Sequence, residues 1–446
     1  MANLKRLLLQ INTKGVRLFS TRKNPIDPED ALKLPIFEYG VSKKSYNRLF
    51  VWGHTKTGAL GIPYIRSTEN YESIKNFHVP KRMGFGEKNE VVQVACGFGF
   101  SLFNVKHKDP DKMLYGTGLN TDSQIGYHEV RQDKPLEILF YPKPIAIPFK
   151  DTSTCEIKKI AAGRAHSLVL TNEGLFLLGN NGYGQCGRPI IQDEDYSKGN
   201  YIHHIVDIDG KKIVDVECGQ DHSLALTEDG SVYSCGWGAD GQTGQGHYQN
   251  ISTFSKVQGD ISTEKIIKLN SRCDFVMALN DKGDVFGWGN TEYGQIMSET
   301  GDQQLHTPTH MKKLKSLGRI IDIAAGGSLC MVLNEDHQVF TWGFGLLGFG
   351  PNVQQCTQPT KIPEVLFGKN DFQPDNVVEK ISCGVSHSAT ITSNGDLYSW
   401  GRNRNGCLGL GNEHDQYFPL KVCLGGLVKN ISCGIDHSIA VCKPFI

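Results

Sequence analysis

The chain has 446 residues, 47 Lys and Arg against 47 Asp and Glu, and 39% hydrophobic content. No apolar run approaches the ~18 residues a membrane-spanning helix needs, and the balanced charge does not favour sequence-blind nucleic-acid binding, which depends on a dominant basic field, though it leaves room for a local basic patch. The 50 glycines recur in register with hydrophobic segments, which favours many turns over disorder.

The first 23 residues differ from the rest. Lys5, Arg6, Lys14, Arg17, Arg22 and Lys23 are basic, and the first acid is Asp27. Leu4, Leu7, Leu8 and Ile11 fall at helical spacing, so the segment reads as an amphipathic basic mitochondrial transit peptide, residues 1–19 and extending to about 23. Arg17-Leu18-Phe19-Ser20 fits a matrix-protease cleavage pattern. Removing residues 1–19 takes away four basic residues and no acid, leaving 43 basic against 47 acidic. Residues 24–48 read as a linker, and the repeats fill 49–446.

Two alternating motifs then recur. The first is a short β-rich run ending in glycine: Gly53, Gly118, Gly179, Gly236, Gly289, Gly343 and Gly401. Four of the five tryptophans stand just before this anchor, and small residues follow it at five and eight positions, as at Gly241 and Gly244. The second motif is apolar-x-x-apolar-x-small-Gly-x-x-His-Ser-apolar. Its histidines are His166, His222, His387 and His437; degenerate copies sit at Gly97, Arg272 and Gly326. Asp-Gly and Asn-Gly turns at Asp229-Gly230 and Asn394-Gly395 join the motifs as β-hairpins. Each unit therefore supplies four antiparallel strands, with a longer loop before the outermost.

Seven copies of each motif predict an all-β, seven-bladed β-propeller, because one blade cannot bury both faces of its own sheet. The chain enters at the third strand of a unit, near Leu49–Gly53, and leaves after two strands, Val428–Val441. The two half-units are complementary, so both termini are expected to build one blade and close the ring, removing its open edges. Cys96, Cys218, Cys383 and Cys433 each precede the second motif's glycine position, and there is no CxxC among the 13 cysteines. They read as small buried strand residues, not as metal ligands or a disulfide framework.

The run Cys218-Gly219-Gln220-Asp221-His222-Ser223-Leu224-Ala225-Leu226-Thr227, followed by Val232-Tyr233, Gly236 and Gly241-Gln242, resembles the repeat of the regulator of chromosome condensation family. Cys383–Ser388 and Trp400-Gly401-Arg402-Asn403 repeat the pattern, and the likeness covers Leu49 to Val441. The leader, Tyr233–Gly244 and Asp415–Pro419 resemble the family's mitochondrial branch. The resemblance implies a protein that binds macromolecules through the propeller faces without covalent chemistry or cofactor. For that branch it implies guanine-nucleotide exchange on a dynamin-like mitochondrial fusion GTPase, or alternatively a scaffold role in large-subunit ribosomal RNA assembly and mitochondrial translation. It places the chain in the matrix or against the inner membrane, with a GTPase, ribosomal RNA or RNA-assembly proteins as partners. Founding members push a projecting β-wedge at their GTPase, and this sequence shows no clear counterpart.

Two G-x-G-x-x-G matches, Gly236–Gly241 and Gly343–Gly348, fall on repeat anchors with no helix following, so they do not read as dinucleotide sites. The four repeated histidines read as structural, each satisfying a partner within its own blade. The informative positions lie between Gly and His, where the fold leaves choice: Arg164, Asp221, Asp274 and Asp436 stand there, expected on one face near the channel. Asp221 and Asp436 fall where family exchange factors carry acids that engage the GTPase. Arg272 breaks the motif in blade 4. Lys312, Lys313 and Lys315, and separately Arg402 and Arg404, form basic stretches that could contact RNA or anionic lipid.

Overall fold

The computed structural model describes residues 46–62, 76–131, 134–135, 137–196, 201–297 and 301–445. The chain divides into Met1–Lys44 and Ser45–Ile446. The predicted leader, and the predicted linker up to residue 45, lie outside the described residues.

Seven four-stranded antiparallel sheets form the seven blades of a propeller. Blades 1 to 7 start from the strands Val91–Cys96, Ile157–Ala162, Ile213–Cys218, Ile266–Arg272, Ile320–Ala325, Val378–Cys383 and Gly426–Cys433. These first strands pack against one another around the ring, so they line the central channel. Blade 7 is shared by the termini: Gly426–Cys433 and His437–Pro444 pair onward to Arg48–Gly53 and Phe77–Arg82. Arg48 opposes Cys442 and Gly53 opposes His437. The long inter-motif stretches hold the outer strands, such as Ile138–Pro144 and Gln304–His310.

An innermost strand has no partner on its channel side, and such an edge carries unsatisfied donors and acceptors. Side chains from the preceding blade cap it. Gln93 accepts from the Ile160 N–H at 3.1 Å, Ser432 from the Cys96 N–H at 2.9 Å and Asn270 from the Ala325 N–H at 2.7 Å. The same wall carries ion pairs from blade 2 to 3, Lys159 with Asp215 and Glu217, and from blade 4 to 5, Lys268 with Asp322.

The blades are then stitched to each other. Trp52, Trp288 and Trp342 donate their indole N–H to carbonyls of Cys407, Gln242 and Gln295 in the preceding blade, at 2.7–2.9 Å. Ser167, Ser223 and Ser438, each following the repeat histidine, donate to Gln124, Gln185 and Cys407 carbonyls of the preceding blade. Three of the four repeat histidines reach the other way. His222 meets Ser271, His387 meets Ser438 and His437 meets Ser101, at 2.8–3.3 Å. This corrects the expectation of partners within each blade: the imidazole is long enough to cross the seam, and the hydroxyl it finds belongs to the next blade. Ser438 spends its proton on the Cys407 carbonyl, so His387 Nε2 is the donor to it.

Glycine precedes each of these histidines for a steric reason. A Cβ on Gly163, Gly219, Gly384 or Gly434 would lie inside van der Waals contact of its own blade's imidazole. All seven anchor glycines adopt φ between +98° and +113°, with no room for a Cβ against the preceding loop's backbone. The thirteen cysteines are free, and Cys96, Cys218, Cys383 and Cys433 are buried at the ends of their strands.

Burial holds His166 and His387 down to about 4, and His222 and His437 down to about 3, from an ordinary 6.5. The unfolded chain therefore takes up these protons first. The stability they contribute as neutral groups is complete above pH 6.5 and drains as pH falls towards 4. His387→Gln, which keeps a donor but cannot titrate, is expected to cost about 1–2 kcal/mol at neutral pH. Urea titrations between pH 7 and 4 should show a shallower loss of stability for this variant than for the parent chain.

Candidate partner-binding face

Each second motif turns over between its first two strands, and these seven turns gather at one end of the channel. Neighbouring turns touch in sequence around the ring. The N–H of Phe98 bonds to the Gly163 carbonyl, Arg164 to Gln220, Gln220 to Cys273 and Gly327 to Val385, at 2.9–3.2 Å. A Cβ on Gly384 would meet the Gly434 carbonyl, and one on Gly434 the Gly97 carbonyl. The residue after every anchor glycine donates to the carbonyl just before the histidine position, as Trp237 does to Asp221, His54 to Asp436 and Asn290 to Asp274. Turns and anchor loops thus form one rigid loop face; the hairpin turns occupy the opposite face.

The structure brings Arg164, Asp221 and Asp274 together on the loop face. Arg164 makes a bidentate pair with Asp221, Nε to Oδ1 at 3.0 Å and Nη2 to Oδ2 at 2.8 Å. Burial pushes the Asp221 carboxyl up, and Arg164 only partly opposes it. Asp274 accepts from Gln242 Nε2 at 2.9 Å. Its carboxyl is pushed up to about 6, first by burial and then by the charge of Asp240. Three carboxylates therefore crowd blades 3 and 4 around one guanidinium. Asp436 lies apart on the same face, in blade 7, with Arg404 at 3.7 Å. Arg402 and Arg404 are exposed there.

Lys312, Lys313 and Lys315 are not part of this face. They belong to the 3-10 turn Lys312–Leu317, which follows the outer strand of blade 4 at the hairpin end. All three are exposed, and Lys315 lies 3.4 Å from Asp284.

Arg272 points inward. At the other blades a ring or a branched chain, as at Phe100, His166 or Leu329, packs over a glycine. In blade 4 that glycine is replaced and Phe275 is wholly buried, so the Arg272 side chain extends along the channel. Its guanidinium donates to the carbonyls of Cys433 at 2.7 Å, Cys383 at 3.3 Å and Cys96 at 3.5 Å. One side chain thus links blade 4 to blades 6, 7 and 1. The geometry makes it a crosspiece of the ring.

Sequence reasoning missed three features of the loop face. Asp240, in blade 3, adds its charge to Asp274 and accepts from Gln304 at 2.6 Å. Two partly exposed aromatic pairs flank the acids: Tyr183 with Trp237, centroids 4.6 Å apart, and Tyr293 with Phe344, 5.5 Å. Trp237 and Phe344 follow anchor glycines at a place held elsewhere by His54, Leu119, Asn180, Asn290 and Arg402, so comparing units would have exposed them as the two apolar aromatics there. Finally, a two-stranded hairpin, Glu129–Arg131 with Lys134–Pro135, lies in the long loop of blade 1 that opens on this same face. The sequence had shown no such hairpin.

A ring of Gly-x-x-His units, sealed by both termini and read through one loop face, defines a repeat propeller of known kind. Sequence models of the regulator of chromosome condensation (RCC1) repeat match residues 46–103, 172–226, 282–333, 336–391 and 394–441, and the chain belongs to this family. It is similar to the RCC1-like G exchanging factor-like proteins of Mus musculus, 42% identical, and Homo sapiens, 41%, in each case over 93% of this chain and 91% of the relative. The crystal structure of human WBSCR16 superposes with a TM-score of 0.84 at 41% identity, covering 90% of this chain and all of that one. Yeast Prp20p, whose structure was reported with its binding to Gsp1p and histones, shares the fold at a TM-score of 0.73 and 19% identity over 90% of this chain and 92% of that one.

Arg272→Met is expected to destabilise the ring by about 2–3 kcal/mol, since the three carbonyls lose a charged donor. Urea denaturation should also place Arg272→Lys between the two, because an ammonium cannot span all three.

Proposed function

We propose that the chain is a mitochondrial guanine-nucleotide exchange factor for a dynamin-like fusion GTPase, working through blades 2 to 5 of the loop face. The observation that carries this reading is the acidic sector of Asp221, Asp240 and Asp274, flanked by partly exposed aromatic pairs. Aromatic anchors beside buried charge are what a specific protein contact uses, and carboxylates match a cationic partner surface. The blade 1 hairpin lies in the loop between Leu119 and Ile138, which opens on the same face. The relatives bearing an exchange-factor name match 93% of this chain. Exchange needs no nucleotide site on this chain: binding the nucleotide-free GTPase more tightly than the loaded one suffices to speed GDP release.

The test is release of fluorescent GDP from a mitochondrial fusion GTPase by the chain lacking residues 1–19. Asp221→Ala and Asp274→Ala should each slow release by about tenfold, the effect of losing ~1.4 kcal/mol, with unchanged thermal unfolding. Asp274 gains its charge as pH rises through about 6, so release should accelerate over that range and Asp274→Asn should flatten the profile. No acceleration by the parent chain, with ribosomal RNA recovered on crosslinking, would replace this reading with the assembly-scaffold one.

A further inference from the structure

The hairpin face carries a pattern that the fold does not require. Every innermost strand has a β-bulge near its start, at the second residue in blades 1 to 6 and the fourth in blade 7, where the register with its neighbour shifts. The bulged residues are Val92, Lys158, Val214, Ile267, Ile321, Glu379 and Lys429, and all are exposed at the hairpin-side mouth of the channel. Blades 2, 6 and 7 accept charged residues here, so the fold tolerates them. Yet Val214, Ile267 and Ile321, in three successive blades, are 44%, 48% and 40% exposed, and Val92 of blade 1 is 43% exposed but stands two residues after Glu90. Repetition makes the molecule its own control: aliphatic groups at these positions serve no packing purpose that lysine or glutamate fails to serve.

A second regularity coincides with the first. Two residues before each of these aliphatics stands a cation: Lys212, Lys265 and Arg319. The equivalent residues of the other blades are Glu90, Glu156, Val377 and Leu427. The stems of Lys265 and Arg319 lie over the hairpin glycines Gly230 and Gly283 of the preceding blade. All three cations are exposed; among the described residues none forms an ion pair with a carboxylate, and the Arg319 guanidinium donates to the Asp281 carbonyl at 2.9 Å. Lys158 stands beside Lys212 and adds a fourth positive charge. Next to Ile321 a cleft of about 430 Å³ opens, walled by Ile321, Ile381, Ile391 and Ile431, with Lys380 and Glu379 among its polar walls.

We propose that blades 3 to 5 of the hairpin face dock an extended acidic peptide segment of a partner protein, whose aliphatic side chains cover Val214, Ile267 and Ile321 while its carboxylates meet Lys212, Lys265 and Arg319. The acids of the same turns are already engaged, Asp229 by Lys211, Glu264 by Lys282 and Asn280, and Glu335 by the Arg319 N–H, so the cations left without a carboxylate beside exposed aliphatics select an acidic partner. RNA fits less well: single strands are held by stacking on aromatic or guanidinium planes, whereas this site offers valine and isoleucine and one guanidinium, Arg319, which is bonded to the Asp281 carbonyl at 2.9 Å. The site lies at the opposite end of the strands from the loop face, so it stands independently of the exchange reading.

The experiment selects random short peptides displayed on phage against the full chain, then measures the enriched peptides by fluorescence anisotropy. The expected result is enrichment of sequences mixing Asp or Glu with Leu, Ile or Val, weakened by added salt. Ile267→Ser and Ile321→Ser should each weaken binding by about tenfold, and Lys265→Glu by a similar factor, with unchanged thermal unfolding. The proposal is overturned if no acidic-apolar peptide is enriched, or if enriched peptides bind the three variants as they bind the parent. It is also overturned if a labelled single-stranded RNA binds this face and Lys265→Glu abolishes that binding while Ile267→Ser leaves it intact.

Discussion

Everything else in this propeller depends on polar stitching across the seams between blades. A β-sheet blade presents two apolar faces, and burial against neighbours supplies most of the stability but no direction. Direction comes from the His-Ser dipeptide. Its imidazole reaches the next blade's hydroxyl, and its own hydroxyl reaches the previous blade's loop carbonyl. The glycine three residues upstream is the steric condition for the ring to lie there at all. Tryptophan at the anchor adds a second directed bond into the preceding blade. With the seams fixed, the loops at each end are held still enough for their remaining side chains to be read by a partner.

That division of labour separates scaffold from site. Positions that touch a seam recur, with His-Ser in four of the seven units and tryptophan before four of the seven anchor glycines, because the same kind of bond serves at successive joints. Positions beside them vary freely, and the variation is not scattered. On the loop face it concentrates acids and aromatics in blades 2 to 5; on the hairpin face it concentrates cations and aliphatics in blades 3 to 5. One side of the ring is thus differentiated at both ends.

Much of this was legible in the residues. Two motifs gave the blade count independently, and the complementary half-units at Leu49–Gly53 and Val428–Val441 gave the closure that the pairing of Arg48 with Cys442 bears out. Hairpin turns were visible because Asp-Gly and Asn-Gly have few other uses between strands. The histidine partners were not visible, since periodicity locates a residue within its unit and says nothing of which unit it faces. Arg272 looked like a departure open to a partner, because its three acceptors lie 111, 161 and 176 residues away. Asp221 and Asp274 were found from their place in the motif, but Asp240 and Trp237 sit in anchor loops that were read only as turns. The hairpin at Glu129–Arg131 was hidden by the prolines around it.

Arg272 has a consequence for how the ring comes apart. Stacked repeats ordinarily melt from their ends, each unit leaning only on its neighbours. Here the guanidinium in the middle of the chain is held by carbonyls of the last inner strand, the first, and the one before the last. Those carbonyls stand together only while blade 7 is sealed. Opening the terminal seam therefore strips a contact from the blade farthest from it in sequence, so the centre of the chain senses whether its two ends are joined. A row of nearest neighbours becomes a single all-or-none object through one side chain.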